Sequence, residues 1–183
     1  SGQCLMPINA PTERITAQLT FLVETDKLKS IVRANKLTDG SRFENVAEHS
    51  WHVCLWALVF TDQSGGADIS RVIQMLLLHD IVEIDAGDNL IHMPHDYEKI
   101  AAKEAAAALR IFGLLPADQD VAYRQVWEEF KAGKTAEAQY ANMVDKAVAM
   151  FLELYNPTQT KNEHEILREA IETGRFADLG DNW

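Results

Sequence analysis

The chain has 183 residues, 47% of them apolar, and a formal net charge of −11. That size and composition fit one globular domain with a real core. An acidic chain without a basic run cannot release counterions from nucleic acid or from an anionic membrane face, although one or two well-placed arginines would still hold a small phosphate.

Cys4 and Cys54 are the only cysteines, so neither a disulfide framework nor a Cys-x-x-Cys metal site is available. No apolar run approaches the ~20 residues of a membrane span. The start shows no charged segment followed by an apolar block. A cytoplasmic protein is expected.

In chain order the pattern is helical, with almost no strand signal. A first helix begins at Thr12-Glu13, runs through Ile15, Leu19, Leu22 and Val23, and reaches about Arg33 with a break. Residues 35 to 42 are polar and contain Gly40, which predicts a loop. A second helix spans about Asn45 to Asp62, and Ser64-Gly65-Gly66 ends it. Asp68 caps a third, from about Ile69 to Ile84. Gly87 then punctuates, and the stretch 89 to 96, with Pro94, is irregular. A fourth helix covers about Tyr97 to Phe112 and stops at Gly113. A fifth runs from Pro116 to about Lys131, before Gly133. A sixth runs from about Thr135 to Tyr155, before Pro157. A shorter seventh, about 162 to 173, precedes a tail. Short joints favour a compact all-α bundle of about six to seven helices. Residues 1–183 form a single domain in this view, with a core of about 13–157 and a C-terminal helix and tail at 161–183.

Three places put metal-ligand types of side chain on core faces. Asp145 shares a helical stripe with Ala138, Ala141, Val148, Ala149 and Leu152. An ionised carboxylate there is costly unless paired or bound to a cation. His49 shares a stripe with Val46, His52, Val53 and Trp56. His79 and Asp80 close the run 72–78, which is apolar almost all round and predicts a buried helix. Two histidines and two carboxylates converging on one interior point to a metal ion. Nitrogen and oxygen ligands without thiolate suit one divalent ion such as Mn²⁺, Co²⁺, Mg²⁺, Fe²⁺ or Zn²⁺. Glu83 follows His79 by four residues and Asp80 by three, which places it beside both on a helix surface. Adjacent His79 and Asp80 diverge by about 100°, so they share one ion only near a helix end.

His49, His79-Asp80 and Asp145 resemble the H…HD…D signature of the HD-domain metal-dependent phosphohydrolases. The stretches Arg42-Phe43-Glu44-Asn45-Val46-Ala47-Glu48-His49-Ser50-Trp51 and His79-Asp80-Ile81-Val82-Glu83-Ile84-Asp85-Ala86-Gly87-Asp88 are similar to the 5′-deoxynucleotidase-like branch. The resemblance covers roughly residues 15 to 155. It implies an HD-domain helical bundle, one divalent ion on His49, His79, Asp80 and Asp145, and release of phosphate from nucleoside 5′-monophosphates. Glu83 and Asp88 resemble the family's two catalytic carboxylates, with Glu83 near the attacking water and Asp88 near the leaving 5′-oxygen. Arg33, then Arg42, is expected to hold the phosphate, because a guanidinium fork matches phosphate oxygens. A homodimer is expected on the same resemblance, helped by more long apolar helices than one small bundle needs.

The stretch 34 to 37, Ala-Asn-Lys-Leu, offers no aromatic for a sugar or base, and the residues leave sugar preference open. His52 is expected to be a core histidine, and His92 and His95 pocket-lid residues rather than a second metal site. Trp51, Trp56 and Trp127 are expected to pack the core. A di-iron bundle would need Glu-x-x-His pairs and a zinc protease His-Glu-x-x-His; the chain has neither. The rivals that remain are an HD-type phosphodiesterase, a nucleoside triphosphate-processing hydrolase and an inactive nucleotide-binding scaffold.

Overall fold

A computed structural model describes residues 10–87 and 97–155. The expected seventh helix and the segment 89 to 96, with Pro94, lie outside the described residues. Helix α1 (Ala10–Thr25) leads through a 3-10 turn (Asp26–Ser30) into strands β1 (Val32–Lys36) and β2 (Phe43–Asn45). Then come α2 (Val46–Val59), a second 3-10 turn (Thr61–Gln63), α3 (Ile69–Leu78), the short α4 (Glu83–Ala86), α5 (Tyr97–Phe112), α6 (Ala117–Ala132) and α7 (Ala136–Tyr155). No helix among the described residues is long and apolar enough to cross a membrane.

The core is built around α3, which packs on α2, α6 and α7. Val72, Met75 and Leu76 on α3 are fully buried, with Val53 of α2, Ile111 and Phe112 of α5, and Val148 of α7. Helix starts follow their caps. Asn45 opens α2 with a reciprocal pair: Glu48 N–H donates to Asn45 Oδ1 at 3.0 Å, and Asn45 N–H donates to Glu48 Oε2 at 3.1 Å. Asp68 Oδ1 accepts from Ser70 N–H at 2.9 Å and opens α3. Gly133, at φ 61°, closes α6 in the left-handed conformation that a side chain would resist.

Three features differ from the periodicity. The first helix stops at Thr25, and residues 32 to 45 form an antiparallel hairpin pairing Val32 with Asn45 and Lys36 with Phe43. Its strands are short, and their alternation is inverted, with Val32 and Phe43 facing out and Arg33 and Glu44 facing in, so the sequence predicts helix and loop there. Two short strands are not stable alone. These hold because β1 packs on α7 and β2 on α2. The third helix ends at Leu78, not Ile84. From there Ile81 N–H bonds Leu78 O and Glu83 N–H bonds Asp80 O, tighter turns that unwind the α-helix. Finally, α3 is not buried all round, since Leu77 is half-exposed. Trp56 and Trp127 do pack in or against the core, but Trp51 is 65% exposed.

Replacing Asn45 with Ala removes the cap that fixes where α2 begins. Urea denaturation should show a loss of about 1 kcal/mol, the usual cost of such a cap.

Candidate functional site

The α2 cap sets the register that places His49 on the inner face of α2, fully buried. The same face carries Val46 and Val53, also fully buried. Asp145 projects from α7 beside Ala141 and Val148, which are fully buried, as the helical stripe predicts. The unwound end of α3 delivers His79 and Asp80 together. Its geometry is held from behind: Nδ1–H of His79 donates to Leu76 O at 2.8 Å, and the Trp127 indole N–H donates to His79 O at 3.2 Å. The Nδ1 bond leaves Nε2 facing the cluster.

The four side chains close a ring in which nitrogen and oxygen alternate. His49 Nε2 is 2.9 Å from Asp145 Oδ1 and 3.9 Å from Asp80 Oδ2. His79 Nε2 is 3.1 Å from Asp80 Oδ2 and 3.7 Å from Asp145 Oδ1. Ligands about 2.1 Å from one ion lie about 3 to 3.5 Å apart at neighbouring positions, so the ring has the span of a single coordination shell. His49, His79 and Asp145 satisfy a common ligand-atom separation of at most 4.8 Å. The buried Nε2 of His79 makes no hydrogen bond of good geometry, as expected of a nitrogen reserved for a cation. The donor set therefore fits a divalent ion.

Electrostatics point the same way. Burial pushes the His79 imidazole down, yet the Asp80 and Asp145 carboxylates overcome it and raise its pKa to about 10. For His49 burial again opposes, and the bonds to Asp145 and Glu44 win, so its pKa is also raised. Burial would raise both carboxyls, but the facing imidazoles hold Asp80 below its ordinary value and Asp145 well below. On the amino acids alone, protons on the imidazoles supply the positive charge that two clustered carboxylates demand.

Arg33, on β1, reaches this ring. Its Nη1 lies 2.9 Å from Asp80 Oδ2 and 3.9 Å from Glu83 Oε1. Glu83, the first residue of α4, thus stands at the rim. Asp88, His92 and His95 lie outside the described residues. Arg42 is not brought to the ring: its guanidinium makes a two-pronged pair with Glu48, at 2.7 and 2.8 Å, on the exposed side of the hairpin. His52 stays out of the ring too, accepting from the Trp56 indole at 3.1 Å. Sequence reasoning missed Glu44, a buried carboxylate between Arg33 and His49. Its only advance signal was its place in the quoted motif, one residue before the cap.

An HD domain model matches residues 25–181. The chain belongs to the HD domain family. Among solved HD-like structures, a predicted metal-dependent phosphohydrolase from Magnetospirillum magnetotacticum MS-1 is 39% identical, with a TM-score of 0.77 over 87% of this chain and 85% of that one. An HD-domain phosphohydrolase from Listeria innocua shares the fold, with a TM-score of 0.69 at 20% identity, over 85% of this chain and 79% of that one. The human 5′-deoxynucleotidase HDDC2 is 28% identical over 129 residues, 70% of this chain and 62% of the human protein. The bovine protein of that name is 27% identical over 162 residues, 87% of this chain and 78% of its own length. The match to the human protein thus spans less than two thirds of that protein's length.

The indole–carbonyl bond is the strut under the HD turn. Trp127→Phe would leave His79 O buried without that donor. Urea unfolding should show a loss of about 1–3 kcal/mol, the cost of an unsatisfied buried group, with the smaller ring adding to it.

Proposed function

We propose that this chain is a metal-dependent phosphohydrolase that releases phosphate from nucleoside 5′-monophosphates, with one divalent ion held by His49, His79, Asp80 and Asp145. The observation that carries the proposal is the ring of alternating nitrogen and oxygen donors with Arg33 and Glu83 on its rim. When bound, a divalent ion neutralises phosphate charge and makes nearby water more acidic.

The chain's own groups supply the rest. Arg33 presents a planar guanidinium beside the ring, the geometry that grips phosphate oxygens. Glu83 stands 3.9 Å from that guanidinium and is assigned to orient the attacking water and take its proton. Asp88, five residues on, is assigned to protonate the leaving 5′-oxygen. The ring is walled by buried residues of α2 and α7, and Asp145, with a side chain 29% exposed, marks its open side. The nucleotide class is supported by the similarity to the human and bovine 5′-deoxynucleotidases. Deoxynucleotides are assigned as the preferred form. A cytoplasmic homodimer completes the proposal. Self-association is supported by the exposed stripe Ile15, Leu19, Leu22 and Val23 on α1, at the spacing of one helix face.

Elemental analysis of protein purified without chelator should give about one ion per chain for a single mixed-ligand site. Asp145→Ala should remove most of it; unchanged metal content would refute the ligand set.

Glu83→Ala should lower turnover of deoxynucleoside monophosphates by roughly 10² or more, the scale of one acid–base group, with the ion retained. Arg33→Ala should chiefly raise KM. Activity confined to cyclic or diester substrates would overturn the assignment, and a ribose-versus-deoxyribose comparison at matched base tests the sugar preference.

A further inference from the structure

The hairpin reverses the burial that its side chains would choose. Successive strand residues face opposite sides. Strand β2 turns Phe43 outward, 46% exposed, and Glu44 inward, 2% exposed. Outside, Lys36 Nζ lies 5.5 Å from the centre of the Phe43 ring. A carboxylate buried so deeply is costly unless its partners repay it. Both partners of Glu44 belong to the site. Its Oε1 lies 3.4 Å from Nδ1 of His49 and 3.4 Å from Nε of Arg33. These three atoms are all buried, and both contacts stand at ion-pair distance, without a hydrogen bond of good geometry in this structure.

Each partner works with its other end. His49 turns Nε2 to Asp145 at 2.9 Å, and Arg33 turns Nη1 to Asp80 at 2.9 Å. One oxygen therefore sits behind both a metal-binding imidazole and a phosphate-binding guanidinium. An Nδ1–H donated to a carboxylate leaves Nε2 as the lone-pair nitrogen and fixes the ring plane. The Nε–H of an arginine held in the same way leaves its Nη edge for a second anion.

We infer that Glu44 is a positioning residue whose Oε1 sets the tautomer and orientation of His49 toward the ion and the orientation of Arg33 toward the phosphate. This rests on the ligand and phosphate assignments above. It predicts a combined defect: Glu44→Ala disturbs ion binding and substrate binding together, while Arg33→Ala acts chiefly on substrate binding.

The test is calorimetric titration of chelator-stripped protein with Mn²⁺, Co²⁺ and Zn²⁺ alone, followed by KM and kcat for a deoxynucleoside monophosphate. Circular dichroism and thermal melting establish that each variant is folded. Glu44→Ala should weaken binding of the tightest ion by roughly 10- to 100-fold, the usual effect of losing a partner behind a metal ligand, and should raise KM. Glu44→Gln keeps an acceptor oxygen in place and should bind that ion close to the parent level. Parent-like ion affinity in Glu44→Ala overturns the inference. So does a folded Glu44→Gln that binds the ion more than about tenfold weaker than the parent, and this variant decides the matter if the alanine variant does not fold. If the titrations come out as expected but no nucleoside monophosphate is hydrolysed, the proposed activity falls and the role of Glu44 toward His49 stands.

Discussion

The mutual neutralisation of two carboxylates and two imidazoles, in the angle between α2, the end of α3 and α7, is the constraint the rest of the chain serves. None of these groups is inexpensive to bury. His49 is fully buried and His79 nearly so, and each imidazole opposes a carboxylate within hydrogen-bonding or ion-pair range. An isolated charge in such a place would be lost to solvent or neutralised. As a ring, each group stabilises the charged form of its neighbours, which is why the histidines shift up and the aspartates down. A divalent cation would satisfy the same ring with its own charge and release the protons from the imidazoles.

Local structure bends to that requirement. A continuous third helix would splay His79 and Asp80 by about 100°. The chain instead leaves the α-helix at Leu78 and crosses to α4 through tighter turns. The Trp127 indole and the Leu76 carbonyl hold this turn, both acting on His79. The hairpin contributes from the other side, carrying Arg33 on one strand and Glu44 on the other. Both are charged residues on strands too short to persist alone. Their docking on α2 and α7 makes the hairpin stable and closes the site at once. Binding elements that are themselves packed elements suit a site whose donors must stay within a few tenths of an ångström of one shell.

Much of this was legible in one sequence. Helices α2, α5, α6 and α7 follow from 3.6-residue periodicity, Asp68 from capping chemistry, and Gly133 from its freedom at positive φ. Asp145 on an alanine and valine stripe and His49 on a valine stripe declared themselves because a charged or polar group on a core face needs a reason. The H…HD…D resemblance then tied them to His79 and Asp80. The periodicity and capping signals are local: each depends on residues within two turns of itself.

What was not legible depended on distant residues. Nothing between Leu78 and Glu83 breaks a helix by propensity, since there is neither glycine nor proline; the turn is held by contacts from elsewhere, the Trp127 indole on His79 O and Arg33 on Asp80. The strands 32–36 and 43–45 are short and alternate in the inverted sense, apolar side chains outward and charges inward, where α2 and the HD turn neutralise them. Arg42, which the sequence offers for phosphate, is drawn instead to Glu48 in the first turn of α2. Glu44 was invisible as a functional residue because its burial comes from the pairing of strands, not from its neighbours in sequence. The sequence by itself determined helices α2, α5, α6 and α7 through periodicity, and put the four ring residues on core faces through residue type. Only the tertiary structure decided where the third helix ends, which arginine reaches the ring, and which carboxylate stands behind it, because those choices are energies of meeting between segments far apart in the chain.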